Sequence, residues 1–201
     1  MLDLNDIRYD DHGVWIGERY IPSSNPRAEF ARQLDAATPD LKGKHIEPEP
    51  TYGRQRIHPT AQIGSPGFGY ARTPEGWLHI PSCAGVVLGD DVEIYPFVDI
   101  SSGTREPTRI GAGTKINALA KIGHNVEIGE HCIIGTGAVI CGGAKLGNWV
   151  WVSPGALIRG DVTVGDEAFV GMGAVVVKDV PSGVTVVGNP ARILNKEGEV
   201  K

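Results

Sequence analysis

Residues 110–176 read IGAGTKINALAKIGHNVEIGEHCIIGTGAVICGGAKLGNWVWVSPGALIRGDVTVGDEAFVGMGAVV, and every sixth residue in them is aliphatic. The series runs Ile110, Ile116, Ile122, Ile128, Ile134, Ile140, Leu146, Val152, Ile158, Val164, Val170, Val176 without a miss. Ile, Leu and Val make up about a quarter of the chain, so twelve in succession by chance is on the order of 10⁻⁷ and the pattern is a structural repeat. Four places after each aliphatic stands a small or β-branched residue: Thr114, Ala120, Val126, Cys132, Ala138, Ala144, Val150, Ala156, Val162, Ala168, Ala174, Val180. Gly is frequent one place after the aliphatic. The same register continues upstream at Leu88/Val92, Ile94/Val98, Ile100/Thr104 and Ile57/Ala61.

A period of six is neither the 3.6 of an amphipathic helix nor the 2 of an alternating strand. It fits short strands joined by bends and coiled into an all-β parallel β-helix. Each aliphatic then fills the axis, and the small residue four places on fits a tight corner. Burying each aliphatic contributes about 1.5–3 kcal/mol. Three six-residue sides make an 18-residue triangular coil, and successive coils stack about 4.8 Å apart, as adjacent strands do.

Working outward, the repeat is interrupted at 64–86, and 101–109 hold four extra residues. Loops that project from a rigid coil are good places for substrate contacts. The sequence therefore divides into an α+β extension (1–55), a β-helix domain (56–180) with insertions 64–86 and 101–109, and a tail (181–201). Within 1–22, YDDHGVWIGERYIP reads as a hairpin turning near Asp11–Gly13. SNPRAEFARQLDAAT reads as a short helix with Asn25 as cap and Pro26 at its first position. Residues 38–56 are Pro- and charge-rich, as a linker is. The tail leaves the register at Pro181 and is expected to end in a short helix near Ala191–Lys196.

Composition narrows the classes. Gly is 28 of 201 residues without a collagen period, and no apolar run approaches the 18 or so residues of a membrane span. The acidic start MLDLNDIRYDDHG lacks the apolar centre of a signal peptide. A net charge of −5 and a pI near 5.7 argue against nucleic acid as partner. Cys83, Cys132 and Cys141 form neither CxxC nor a secreted framework, which suits a reducing cytoplasm.

The pattern [Ile/Leu/Val]-Gly-x-x-[small]-x resembles the left-handed β-helix acyltransferases of the hexapeptide-repeat family. The stretches GFGYARTPEGWLHIPSCAGVVLGDDVEI (67–94) and KINALAKIGHNVEIGEHCIIG (115–135) resemble the UDP-3-O-acylglucosamine N-acyltransferases of lipid A synthesis. The end, GMGAVVVKDVPSGVTVVGNPARIL (171–194), resembles instead the acetyl-CoA-dependent acetyltransferases that act on nucleotide-linked amino sugars. The lipid A pattern carries an Asp seven residues before its catalytic His, where this chain has Asn117, and a second His where this chain has Asp161. The resemblance implies an N-acyltransferase acting on a nucleotide-linked amino sugar in cell-surface polysaccharide synthesis. It implies acetyl-CoA as donor, or an acyl-carrier-protein thioester, and a homotrimer with active sites between subunits. A sugar O-acetyltransferase is the neighbouring alternative.

Stacking residues 18 apart places His124, Gly142, Gly160 and Lys178 in one outward column. An imidazole, two residues without side chains and a cation leave a furrow for a pantetheine arm, with Lys178 near a phosphate. The resemblance makes His124 the general base and Gly142 the backbone oxyanion donor. Histidine suits proton transfer near neutral pH. Asn117 and Asn125 either orient His124 or the substrate, or bond within their bends. Asn189 and Arg192, in GNPAR, are candidate cofactor contacts beside Gly142, Gly160 and Lys178. Phe68, Tyr70 and Trp77 either stack on a base or sugar or pack their loop onto the coil.

The remaining features read as structure. His131 falls on another side of the coil, Cys132 points inward, and Cys141 points outward without a cation to activate it. The ladders Ile133/Trp151/Phe169 and Val139/Leu157/Val175 face outward, which suggests a homotrimer interface. An acyl-chain groove is the other use for the Trp151 ladder. IRGDV (158–162) resembles a motif of β-helical carbonic anhydrases, but no His follows Arg159, so no metal is expected.

Overall fold

Each hexad forms a two-residue strand that ends on its aliphatic residue and then turns. The third residue after the aliphatic makes the turn. Asp91, Phe97, Leu119, Asn125, His131, Trp149, Asp161 and Glu167 all hold φ between 55° and 64° there, and Gly113, Gly137, Gly143, Gly155 and Gly173 hold φ between 64° and 73°. The small residue one place later is not itself the bend. It is the inward plug beside it, and Ala120, Val126, Cys132, Ala138 and Ala144 are all buried. Left-handed backbone costs a non-glycine residue about 1–2 kcal/mol, and the buried aliphatics on either side offset it. Ile116, Ile122, Ile134, Ile140 and Ile158 are fully buried on the axis.

The computed structural model describes residues 7–9, 13–16, 19–37 and 56–194. The turns wind into a left-handed parallel β-helix with three faces. Face 1 stacks Arg56–Ile57, Glu93–Ile94, Lys115–Ile116, Ile133–Ile134, Trp151–Val152, Phe169–Val170 and Thr185–Val187. Face 2 stacks Gln62–Ser65, Asp99–Ser101, Lys121–Ile122, Val139–Ile140, Leu157–Ile158 and Val175–Val176. Face 3 stacks Val86–Leu88, Thr108–Ile110, Glu127–Ile128, Lys145–Leu146 and Thr163–Val164. Pairing is parallel and in register, Ile122 over Ile140 and Ile140 over Ile158. Coils approach closely because Gly often follows the aliphatic: a Cβ on Gly123 would lie 2.6 Å from the Gly142 nitrogen.

Both insertions leave at the corner between faces 2 and 3, which is also the corner of His124. Residues 64–86 connect Gln62–Ser65 to Val86–Leu88 and form a hairpin, Tyr70–Thr73 with Gly76–His79. Residues 101–109 make the same connection one coil later, and the two insertions bond to each other through Ala84 N–H to the Gly103 carbonyl and Gly103 N–H to the Gly85 carbonyl, both 3.0 Å.

The N-terminal strands form a three-stranded antiparallel sheet, Ile7–Tyr9, Gly13–Ile16 and Arg19–Pro22, one strand more than a hairpin. Helix α1 spans Pro26–Ala37. The Asn25 carbonyl accepts the Glu29 N–H at 3.1 Å, and the Asn25 side-chain amide donates to the Arg72 carbonyl in the inserted hairpin. Phe30 and Leu34 on α1, Val14 on the small sheet, and Ala71 and Ile80 of the insertion are buried together in a second core. The extension is thereby joined to the insertion; of the expected linker at 38–56, residues 38–55 lie outside the described residues and Arg56 begins the first coil strand.

The end of the chain corrects an expectation. Arg192–Leu194 is a strand antiparallel to Thr185–Val187, with Ile193 opposite Val186, not the start of a helix. The reversal at Gly188–Ala191 is held by Val175 N–H to the Gly188 carbonyl (2.9 Å) and Ala191 N–H to the Val175 carbonyl (2.8 Å). Residues 195 and 196 lie outside the described residues. Among the described residues no helix is long and apolar enough to cross a membrane.

Candidate active site

His124 stands two places after Ile122, on the outer edge of the corner between faces 2 and 3. Its imidazole lies over the next coil: a Cβ on Gly142 would sit 2.6 Å from His124 Cε1 and 2.7 Å from Nε2. A Cβ on Gly67, in the first insertion, would sit 3.1 Å from His124 Cβ, 3.3 Å from Cδ2 and 2.6 Å from Ser82 Oγ. Two glycines therefore press close to the His124 side chain, and neither position has room for a side chain. The Gly67 backbone is itself pinned, its N–H donating to Ser82 Oγ (3.0 Å) and its carbonyl 3.1 Å from His79 Nε2.

Asn125 orients the ring. Its Nδ2 donates to the Glu106 carbonyl at 2.9 Å, and its Oδ1 accepts the Thr104 N–H at 3.2 Å. That fixes which end of the amide is oxygen, and Oδ1 lies 3.1 Å from His124 Nδ1. Nδ1 must then carry the hydrogen, leaving Nε2 as the unprotonated nitrogen of the neutral ring. The same amide ties the second insertion to the imidazole, so loop and ring are set by one residue.

The backbone at the corner supplies a second group. Among the described residues the coils are laddered chiefly through the N–H groups one and five places after the aliphatics and, at most corners, the one three places after, while the N–H two places after is left to side chains or solvent. In this column that N–H belongs to Gly142 and then Gly160, and nothing among the described residues accepts either. The surrounding pocket has a volume of 570 Å³ and is walled by Phe30, Ile80, Arg105, Glu106, Gly143 and Asp161 besides His124, Asn125 and Gly142. The Arg105 guanidinium sits over the Phe30 ring, 5.7 Å from its centre.

The other sequence candidates are placed as follows. Gly160 continues the column above Gly142. Lys178 follows it and shares a 480 Å³ pocket with Arg192, Val186 and Ala191. Asn189 is exposed in the tail reversal beside Gly188. Asn117 stands at the corner between faces 1 and 2, one face away from His124, and its Oδ1 accepts the Ala118 N–H at 2.8 Å. Phe68 and Tyr70 meet edge to face with centres 5.1 Å apart. Phe68 is 89% and Trp77 71% exposed, and none of these three rings walls the His124 pocket. The ring that does is Phe30. Its pairing with Leu34 one helical turn on was the available signal that α1 packs against something.

His131 lies at the corner between faces 3 and 1, stacked on Trp149 with ring centres 4.4 Å apart. Burial pushes the Cys132 thiol up, and its Sγ–H donates to the Gly147 carbonyl at 3.1 Å. Among the described residues no group of three or more His, Cys, Asp or Glu side chains is arranged to hold a metal ion. Trp151 and Phe169 stack along face 1 with centres 6.0 Å apart and remain about half exposed.

The bacterial transferase hexapeptide pattern (six repeats) matches residues 107–142. The UDP-3-O-acylglucosamine N-acyltransferase of Methylorubrum populi is 39% identical over 94 residues, 47% of this chain and 27% of that enzyme. The chain thus spans about a quarter of the length of the curated relatives it matches. A mutant of perosamine N-acetyltransferase from Caulobacter crescentus, solved with CoA and GDP-perosamine, aligns with a TM-score of 0.57 and 27% identity, covering 82% of this chain and 64% of that one. The UDP-N-acetylglucosamine acyltransferase of Francisella novicida aligns with a TM-score of 0.64 and 26% identity, covering 72% and 53%.

Proposed function

Because this chain is a hexapeptide-repeat protein folded as a left-handed β-helix, we propose that it is an N-acyltransferase moving an acetyl group from acetyl-CoA to the amine of a nucleotide-linked amino sugar. One observation carries the reading: an imidazole with Nδ1 held by Asn125 and Nε2 laid over Gly142, whose own N–H has no acceptor among the described residues.

The amine nitrogen attacks the thioester carbonyl, and His124 Nε2 takes the proton that nitrogen sheds. The Gly142 N–H stabilises the tetrahedral oxyanion. Losing such a donor typically costs about 3–4 kcal/mol of transition-state stabilisation. As the carbon–sulfur bond breaks, the proton passes from His124 to the departing thiolate, and no acyl-enzyme forms. The donor's pantetheine arm lies along the furrow of Gly142 and Gly160. Lys178, Asn189 and Arg192 hold its phosphates, since two of them share one pocket at the end of that column. Phe30 and the ring pair Phe68–Tyr70, with Trp77 beyond, form the side toward the acceptor. Asn125 positions His124. Asn117 bonds within its own bend and acts only where a second copy brings it to a neighbouring site.

The half-exposed ladders on faces 1 and 2 support a homotrimer, with sites between copies. A reducing cytoplasm is the proposed setting. The 94-residue likeness to UDP-3-O-acylglucosamine N-acyltransferases favours a second reading, a 3-hydroxyacyl chain delivered on acyl carrier protein. One assay separates the two. Thiol release is followed with acetyl-CoA or 3-hydroxyacyl carrier protein against GDP-perosamine and UDP- and dTDP-linked amino sugars. The proposal expects turnover with acetyl-CoA and its loss in His124→Ala; a wild type that transfers to none of these amines would sink it.

A further inference from the structure

Resting on that reading, we propose that Asp161 receives the acceptor's ammonium group and so makes the site select amines over hydroxyls. His124 reaches Gly142 from the coil below. Asp161 reaches the neighbouring Gly143 from the coil above, its Oδ1 2.2 Å from where a Gly143 Cβ would stand. An imidazole and a carboxylate thus converge on two adjacent glycines in one pocket. With φ at 60°, the Asp161 backbone turns the corner and leaves its side chain outside the coil.

Several other carboxylates of the coil are occupied. Asp166 Oδ1 accepts the Asn148 N–H (2.6 Å), Asp179 Oδ1 the Thr163 N–H (2.8 Å), and Asp99 pairs with Lys121 (2.6 Å). Among the described residues the Asp161 carboxylate has no cation and no donor. The pocket's one arginine, Arg105, is turned over Phe30, and the remaining charge, Glu106, is also negative. A site of this kind attracts a cation. Aliphatic amines are mostly protonated near pH 7, whereas a sugar hydroxyl is neutral there.

In the balanced sequence the ammonium docks on Asp161 and gives its first proton to solvent. The neutral amine then attacks the thioester, and its second proton goes to His124 and on to the CoA thiolate. Acetyl amide, free thiol and one released proton are the products.

The test uses the full chain and whichever nucleotide-linked amino sugar the wild type acetylates, together with its analogue bearing a hydroxyl in place of the amine. Asp161→Asn keeps the shape and removes the charge. It should raise the KM for the amine 10- to 100-fold at pH 7, leave the KM for acetyl-CoA unchanged, and hold kcat within about threefold. Raising the pH until the amine is neutral should narrow the gap, and Asp161→Glu should recover part of it. The hydroxyl analogue should inhibit wild type weakly and Asp161→Asn as well as the amine binds it. An unchanged amine KM in Asp161→Asn, with wild type active, overturns this inference and leaves the acyltransferase reading standing. A wild type that acylates only hydroxyls, or nothing, overturns both.

Discussion

Two corners of the same triangular coil each set a histidine over a glycine of a neighbouring turn, and they are built for different ends. At the corner between faces 2 and 3, His124 lies over Gly142. At the corner between faces 3 and 1, His131 lies over Gly113, a Cβ there falling 2.3 Å from His131 Nδ1. The difference is in the N–H two places after each aliphatic. At the His131 corner side chains of the next coil stop it up: Asn148 Oδ1 accepts the Glu130 N–H at 2.8 Å, and Asp166 Oδ1 accepts the Asn148 N–H at 2.6 Å. At the His124 corner the corresponding residues are Gly142 and Gly160, and the donors stay open. A β-helix makes such donors at every corner; a site arises where glycines leave them unplugged beside a base.

The largest contrast is between the two histidines. His124→Ala should lower acyl transfer by about 10²–10⁴-fold, the range of a lost general base. His131→Ala should leave kcat/KM within a small factor, because its ring rests on Trp149 away from the pocket. Steady-state thiol release on both variants, with matched melting curves, checks the pair. Equal losses would erase the distinction between the corners.

A graft sharpens it. Gly160 stands to Gly142 as Asn148 stands to Glu130, one coil above at the same hexad place. Gly160→Asn should therefore carry the plug of one corner to the other and cap the Gly142 N–H. Losing an oxyanion donor costs about 10²–10³-fold in kcat, and this variant should lose that much. Its new Cβ falls 2.9 Å from the Gly142 carbonyl oxygen and it narrows the proposed donor furrow, so its melting temperature should fall and its KM for acetyl-CoA should rise as well, and both are measured beside kcat. A Gly160→Asn enzyme with full kcat would show that the open N–H is idle.

Asn125 couples the site to its loop, so its effect is smaller and mixed. Asn125→Ala removes the acceptor for His124 Nδ1 and Thr104 N–H and the donor to the Glu106 carbonyl. It also puts Ala where φ is 58°. About tenfold in kcat/KM and about 1–2 kcal/mol in stability should be lost, from unmade bonds and backbone strain together. Asn125→Gly should recover the strain part of the stability but not the rate.

The coil was legible in the sequence because its physics is local: one buried aliphatic and one small inward residue per hexad, read directly at Ile122/Val126 or Ile134/Ala138. The His124–Gly142–Gly160–Lys178 column followed from the same arithmetic. What escaped was set by contacts far apart in the chain. Phe30 reaches the pocket only because α1 packs on a hairpin inserted some forty residues later, and no periodicity links them. The strand at Arg192–Leu194 escaped for a related reason: helix-permissive residues took the partner that the reversal after Gly188 placed beside them. Asn117 shows the reverse limit. Its short distance in sequence from His124 hides a corner between them.

The smallest effect isolates the plug where it has no catalytic duty. Asn148→Ala deletes the Oδ1 that accepts the Glu130 N–H, but keeps the Asn148 backbone that donates to Asp166. Asn148 and Glu130 are both exposed, so water can replace the missing acceptor. The net loss should be about 0.5–1.5 kcal/mol, the usual worth of one such bond, with kcat and both KM values unchanged. Denaturant unfolding alongside the acyl-transfer assay reads both quantities from one preparation. A fall in activity here would mean that the two corners communicate through the coil, and that an open or closed N–H at one is felt at the other. Unchanged activity with the expected loss of stability would confine each corner's chemistry to its own column.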